Sequence, residues 1–209
     1  MNLNLNNLTF VIVTYNSETV INKCLDSLPK EASKIIIENS SNIETKNYLE
    51  KKYDNIKVFL SENDGMGSSN NKGINKSSTQ FVFILNPDTV FKNDTLKKIF
   101  DEAKLIDDFA IISPINSDPN HPNYKASNKL FSENIIEANS VDGFAMLINK
   151  KKFGENNFFD ENFFLFLEND DLCKRTKKLG NNITIIKIQL INFICFLYLK
   201  YFKILINLN

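Results

Sequence analysis

Residues 8–16 read LTFVIVTYN, a continuous apolar and β-branched run that ends in Thr14, Tyr15 and Asn16. A strand with no polar face is covered on both sides, as strands of parallel sheets are. Working outward, SETVINKCLDSLPK (17–30) places Val20, Ile21, Cys24, Leu25 and Leu28 at helical spacing behind Ser17 as a cap candidate. KIIIE (34–38) reads as a second strand, IETKNYLEKKY (43–53) as an exposed helix and IKVFL (56–60) as a third strand. NKGINKS (71–77) fits a short helix and FVFIL (81–85) a fourth strand. DTLKKIFDEAKLI (94–106) is a helix with Leu96, Ile99, Phe100 and Ala103 on one face, and AIIS (110–113) a fifth strand.

Strand and helix in alternation predict an α/β fold, a mostly parallel sheet with helices on both faces. Ligands of such folds sit at the carboxyl ends of the strands. The strands here end in TYN, ENSSN, SENDGMGSSN and NPDT, four polar loops that should share one edge. Residues 114–140 are rich in Pro, Asn and Ser without a sustained period, and predict a long surface excursion beside the site. VDGFAMLIN (141–149) reads as one further buried strand.

Among 209 residues, 25 basic and 25 acidic side chains cancel, which argues against a protein gripping nucleic acid through its phosphates. Cys24, Cys173 and Cys195 are scattered, with neither metal-ligand spacing nor a disulfide framework, as expected in a reducing cytoplasm. The start, MNLNLNNLTF, lacks the basic flank and apolar core of a signal peptide.

Three stretches carry chemistry. In SENDGMGSSNNKG (61–73), Gly65, Gly67 and Gly73 follow a strand at a helix start. There a backbone can approach a phosphate, although such turns also occur without ligands. In FVFILNPDTVF (81–91), Asn86 and Asp88 flank Pro87 at a strand end. One carboxylate suits a hard divalent ion that takes its other ligands from water and phosphates; the alternative is a simple turn. In FFLFLENDDLCKR (163–175), Glu168, Asn169, Asp170 and Asp171 follow an apolar wall that would desolvate a neighbouring carboxylate and make it a stronger base. A structural reading stands beside this one, with Asn169 as N-cap, Asp170 and Asp171 on the helix dipole, and Asp171 paired with Arg175.

VTYNS, IIIENSS, NDGMGSSNNKG, LNPDT, VDGFAMLI and FDENFFLFLENDDLCKR, in this order, resemble the family 2 inverting glycosyltransferases of GT-A fold, with the rhamnosyltransferase-like bacterial branch the nearest match. The likeness covers about residues 8–180. It implies a Rossmann-like mixed sheet and a sugar moved from a nucleoside diphosphate donor to a saccharide or lipid-linked acceptor, with inversion, in cell-surface polysaccharide synthesis. Thr14, Tyr15, Asn16 and Glu38 would hold base and ribose, and Asn63, Asp64, Gly65 and Gly67 would line the nucleotide. Asp88, with Asn86 in the first slot of the Asp-x-Asp motif, would meet Mg²⁺ or Mn²⁺, and Gly143 and Phe144 would face sugar or acceptor.

The family's usual base position holds Asn169, and an amide cannot accept a proton. The proton acceptor is therefore expected at Glu168 first, then Asp171, then Asp170. The family's diphosphate-holding His downstream has no counterpart, and His121 reads as a solvated loop residue. These departures leave a catalytically inactive nucleotide-binding remnant as the alternative.

From residue 183 the text turns apolar, ITIIKIQLINFICFLYLKYFKILINLN, and the likeness stops. The expected division is a domain over 1–182 and an atypical tail over 183–209, either out of frame, a core segment, or a peripheral contact with the inner membrane through its lysines.

Overall fold

The computed structural model describes residues 3–92, 94–106, 108–117, 122–154 and 158–192. His121, Cys195 and the stretch from 193 onward lie outside the described residues. β1 (Leu8–Thr14), β2 (Ser33–Glu38), β3 (Ile56–Leu60) and β4 (Phe81–Leu85) are mutually parallel in the order β3-β2-β1-β4. Parallel strands end on one side, so the four polar loops do share an edge. β5 (Thr89–Val90) and β6 (Ile111–Asn116) follow, then β7 (Tyr124–Leu130), β8 (Ile135–Val141), β9 (Ala145–Asn149) and β10 (Ile183–Asn192). The sheet continues past β4 as β9-β6-β10-β8-β7, with β9 antiparallel to both β4 and β6.

Alternation along β1 sorts two core layers. Leu8, Phe10 and Ile12 pack with α1 (Ile21–Asp26), Leu49 of α2 (Ile43–Lys52) and Ile99 and Ala103 of α4 (Thr95–Ala103). Val11 and Val13 face Ile74 of α3 (Met66–Lys76) and Leu172 and Cys173 of α5 (Glu168–Lys178). Phe10, Phe83 and Phe91 fill the first layer, with ring centroids 5.5–6.1 Å apart. In the second, a Cβ on Gly73 would stand 2.3 Å from Val11 Cγ1, so only glycine lets α3 lie this close to β1.

Four expectations change. Helix α1 begins at Ile21, and Ser17 does not cap it; its hydroxyl instead closes a turn with the Tyr15 backbone. Helix α3 starts five residues before the expected 71, because Gly67, Ser68 and Ser69 have weak local preference but are small enough to be buried. Of the stretch 114–140, the described residues 114–117 and 122–140 are largely regular structure rather than an excursion without period. They carry the end of β6 and the β7–β8 hairpin, whose register shifts twice, which explains the missing period. VDGFAMLIN is broken at 142–144 between β8 and β9.

The division after 182 also needs correction for residues 183–192. They form β10, parallel to β6, antiparallel to β8, and paired at its end with Thr89 and Val90 of β5. Ile183, Ile185 and Ile186 are fully buried. The apolar run begins as a central strand, covered on both sides like β1.

Candidate active site

A cleft of about 380 Å³ opens along the carboxyl edge of the parallel strands, within the size range of small-molecule sites. Tyr15, Asn39 and Asn63 line it from the β1, β2 and β3 loops, and Asn86, Pro87 and Asp88 from the β4 loop. Asp142 and Gly143 come from the β8–β9 turn, and Phe164 to Asp170 form the opposite wall.

Asp88 is 6% exposed and its Oδ1 has no hydrogen-bond partner in the chain. Burial pushes its carboxyl above the ordinary range, against the pull of its own backbone amide. Its turn is held from behind, where Asn86 N donates to Phe144 O at 2.8 Å and Thr89 Oγ1 to the same oxygen at 3.3 Å. A buried, unpaired carboxylate oxygen fits a divalent cation that needs one protein carboxylate and completes its shell from water and diphosphate. Among the described residues no cluster of three or more His, Cys, Asp or Glu offers another metal site.

Across the cleft, Glu168 opens α5 and is 7% exposed, with Oε2 unpaired. Burial raises its pKa, its own amide opposes this, and Asp170 adds to it. Leu167 and Phe166 before it both adopt left-handed backbone (φ 70° and 67°), a strained entry for bulky residues. Of the four buried side-chain oxygens without a partner among the described residues, Asp88 Oδ1, Glu168 Oε2 and Asn70 Oδ1 belong to residues lining this cleft. Unpaired buried oxygens are rare in native folds, so their concentration here points to a ligand.

The wall is fixed by α3. Met66 N donates to Phe164 O at 2.8 Å, and the Asn71 side chain clamps Phe159 through Nδ2 to its carbonyl (2.8 Å) and Oδ1 from its amide (3.0 Å). Asn71→Ala leaves both backbone groups buried and unpaired. It is expected to cost about 2–4 kcal/mol of stability in urea denaturation, whereas Asn139→Ala, exposed on β8 with one bond to Ala126 O, should cost far less.

Several expected residues do other work. Asn169 is not an N-cap; it lies inside the first turn and donates Nδ2 to Val141 O at 2.9 Å. Asp171 is absent from the cleft lining, paired with Arg175 at 2.7 Å. Asp170 does line it, with Lys125 Nζ 3.7 Å away. Gly65 and Gly67 admit the Phe159–Glu168 wall rather than open space: a Cβ on Gly65 would meet Phe164 O at 2.5 Å, and one on Gly67 would meet Phe159 Cβ at 3.2 Å.

Glu38 is fully buried and accepts from Ser40 Oγ (2.5 Å) and Asn42 N (2.7 Å), holding its own loop. Thr14 is buried with its hydroxyl toward Ile37 O, and Phe144 is buried behind the Asp88 turn. Asn16 is exposed at φ 49°. Asp64 binds Lys72 (2.6 Å) and Ser68 (2.8 Å); burial works to raise its pKa, but these partners together hold it below the usual range. Asn39, Asn70 and Asp142 line the cleft and were not singled out from sequence. Each stood in a quoted stretch, Asn39 in ENSSN, Asn70 in the glycine-rich loop and Asp142 in VDGFAMLI, without being named itself.

The two remaining thiols are no nucleophiles. Burial raises Cys24, and it pushes Cys173 up to about 12.

A parallel half that presents nucleotide-sized polar loops, joined through β9 to a mixed half, defines the GT-A class of fold. The mannosyltransferase PcManGT of Pyrobaculum calidifontis, solved with GDP-Man and Mn²⁺, shares it at TM-score 0.70 and 13% identity, over 95% of this chain and 60% of that one. The profile of Glycosyl transferase family 2 matches residues 9–171, and the chain belongs to that family. It is 25% identical to the low-salt glycan biosynthesis hexosyltransferase Agl10 of Haloferax volcanii, over 86% of this chain and 64% of that protein. It is 26% identical to the rhamnosyltransferase WbbL of Escherichia coli, over 81% of this chain and 76% of that protein. The chain thus spans less than two thirds of the length of Agl10 (64%) and about three quarters of that of WbbL (76%).

Proposed function

We propose that the protein is an inverting glycosyltransferase that moves a sugar, with rhamnose the candidate, from a nucleoside diphosphate donor to a saccharide acceptor in cell-surface polysaccharide synthesis. The observation that carries this reading is the pair of unpaired, buried carboxylates, Asp88 and Glu168, lining one cleft beside the polar loops of β1–β3. Tyr15, Asn39 and Asn63 would receive base and ribose, with Thr14, Asn16, Glu38 and Asp64 shaping their loops. Asp88, with Asn86 beside it, would hold Mg²⁺ or Mn²⁺; when bound, that ion offsets the negative charge of the leaving diphosphate. Glu168 would take the proton from the acceptor hydroxyl as that oxygen attacks the anomeric carbon and the diphosphate departs. Its desolvation strengthens it as a base, and no covalent intermediate is required.

A lipid-linked acceptor and a peripheral contact with the inner membrane fit the lysine-punctuated apolar sequence of 193–209. Among the described residues no helix is long and apolar enough to cross a membrane. The free thiols of Cys24 and Cys173 suit work on the cytoplasmic side.

The test is calorimetry with UDP, GDP and dTDP in Mn²⁺, alongside turnover of the matching nucleotide sugars. Asp88→Asn is expected to weaken the bound diphosphate at least ~30-fold and leave the parent nucleoside unaffected. Nucleotide binding without any turnover would instead support the inactive remnant that Asn169 suggests. No nucleotide binding at all would sink both readings.

A further inference from the structure

The cleft has a second end, on the far side of Asp88 from the nucleotide loops. There the β8–β9 turn meets the first turn of α5. The Asn169 amide bond to Val141 O ties the two together, and a Cβ on Gly143 would stand 3.9 Å from Asn169 Cβ. This joint brings Asp142 and Asp170, 28 residues apart in sequence, into the lining of one cleft. Although Asp142 reaches solvent, burial of its carboxyl raises its pKa, and the Asp170 charge raises it further. Lys125, which pairs with Asp170, pulls the Asp142 carboxyl back down, and both aspartates line the cleft. Beside them stands Glu168 with its buried, unpaired Oε2.

No lysine, arginine or histidine lines the described cleft, while Asp88, Asp142, Glu168 and Asp170 all do. Lys125 approaches Asp170 from edge strand β7, but its side chain is 74% exposed and screened by water. This end is thus a carboxylate-rich pocket beside the apolar Phe164–Leu167 wall. Carboxylates accept hydrogen bonds from the hydroxyls of a polyol, and an apolar wall suits the C–H face of a sugar ring. A carboxylate or phosphate brought into the same place meets like charge that the water-screened Lys125 only moderates, and is disfavoured.

We propose that Asp142 and Asp170 form the acceptor-binding end of the cleft, receiving hydroxyls of an uncharged sugar and rejecting acceptors that carry an anionic group there. This rests on the glycosyltransferase reading above and names the acceptor class for it. Asp142 is a specificity-determining residue in this account, and Lys125 moderates the repulsion.

Saturation-transfer NMR on the full chain with UDP and Mg²⁺ tests it, using methyl galactoside against methyl galacturonate and methyl glucoside against methyl glucuronate. The neutral member of each pair is expected to receive at least ~10-fold more saturation. Asp142→Asn and Asp170→Asn should each narrow that gap, and Lys125→Ala should widen it. Equal contact by the uronates, or no contact by the neutral sugars, overturns the proposal. UDP and GDP calorimetry on the same samples separates the two claims. Loss of nucleotide binding in the wild type removes the donor reading, whereas retained nucleotide binding with undiscriminated sugars removes the acceptor assignment alone. Retained nucleotide affinity in the variants also shows that they fold.

Discussion

Glu168→Gln is expected to lower sugar transfer by about 10²–10⁴-fold, the range for losing a general base, while nucleoside diphosphate affinity in Mn²⁺ is unchanged. The side chain keeps its shape and loses only its ability to take a proton. The pH dependence gives a second signature. Glu168 works as a base only when ionised, and burial raises its pKa. The acid limb of kcat/KM should therefore lie above the range of an ordinary glutamate and vanish with the variant's residual activity. Stability should move the opposite way. A carboxyl whose folded pKa is raised contributes stability that is full below its unfolded value, near 4.3, and lost as pH rises through the folded value. Above that window the glutamine variant, relieved of a desolvated charge, should be at least as stable as the wild type in urea denaturation. A fully active glutamine variant would remove Glu168 from the mechanism. If Glu168→Gln stayed active and Asp170→Asn lost both kcat and the acid limb at saturating acceptor, the base would be Asp170.

Gly65→Ala is expected to damage activity strongly, far more than the same change at Gly154. Gly65 sits at φ +104° and ψ 167°, a region open almost only to glycine. An added Cβ would lie 2.5 Å from Phe164 O and 2.9 Å from Phe164 Cα, both backbone atoms that cannot rotate away. Strain of about 1–3 kcal/mol and overpacking of about 1–3 kcal/mol act together. Relief comes from lifting the Phe164 segment off α3, which breaks the Met66 N–Phe164 O bond. Glu168 lies four residues further on, and a misplacement of about 1 Å can cost ~100-fold in rate. Turnover should fall at least that far, with a stability loss of about 2–6 kcal/mol. Gly154→Ala is the control, since nothing lies within 4 Å of its Cβ position. Wild-type turnover in Gly65→Ala would mean that the wall does not position the base.

The sequence was legible wherever local pattern and tertiary role coincide. β1, β2 and β4 are covered on both faces, and that burial is written into each as an apolar run, whereas edge strand β3 fully buries only Val58. Residues 124–141 hid their strands because the hairpin lies at the sheet edge, where half the positions face water and register shifts break the alternation. β10 was masked differently. Its apolar run matches a buried strand, but its partners β6 and β8 lie some 45 to 75 residues earlier, and no local period announces such pairing.

The candidate site divides along the same line. That Asn86 and Asp88 share a rim with TYN, ENSSN and SENDGMGSSN follows from sequence alone, because a parallel sheet sends every such loop to one edge. Which carboxylates stand free did not. The i,i+4 spacing announced the Asp171–Arg175 pair and Glu168 was the first expectation, but that Glu168 is buried with Oε2 unpaired shows only in the fold. Asp142 gained its place only through the turn after β8 and the Asn169 bond that joins it to α5. Strand order and the loop edge are properties of short segments, fixed by burial repeated residue by residue. Desolvation and pairing of a charge depend on neighbours brought from distant parts of the chain, so only the folded arrangement decides them.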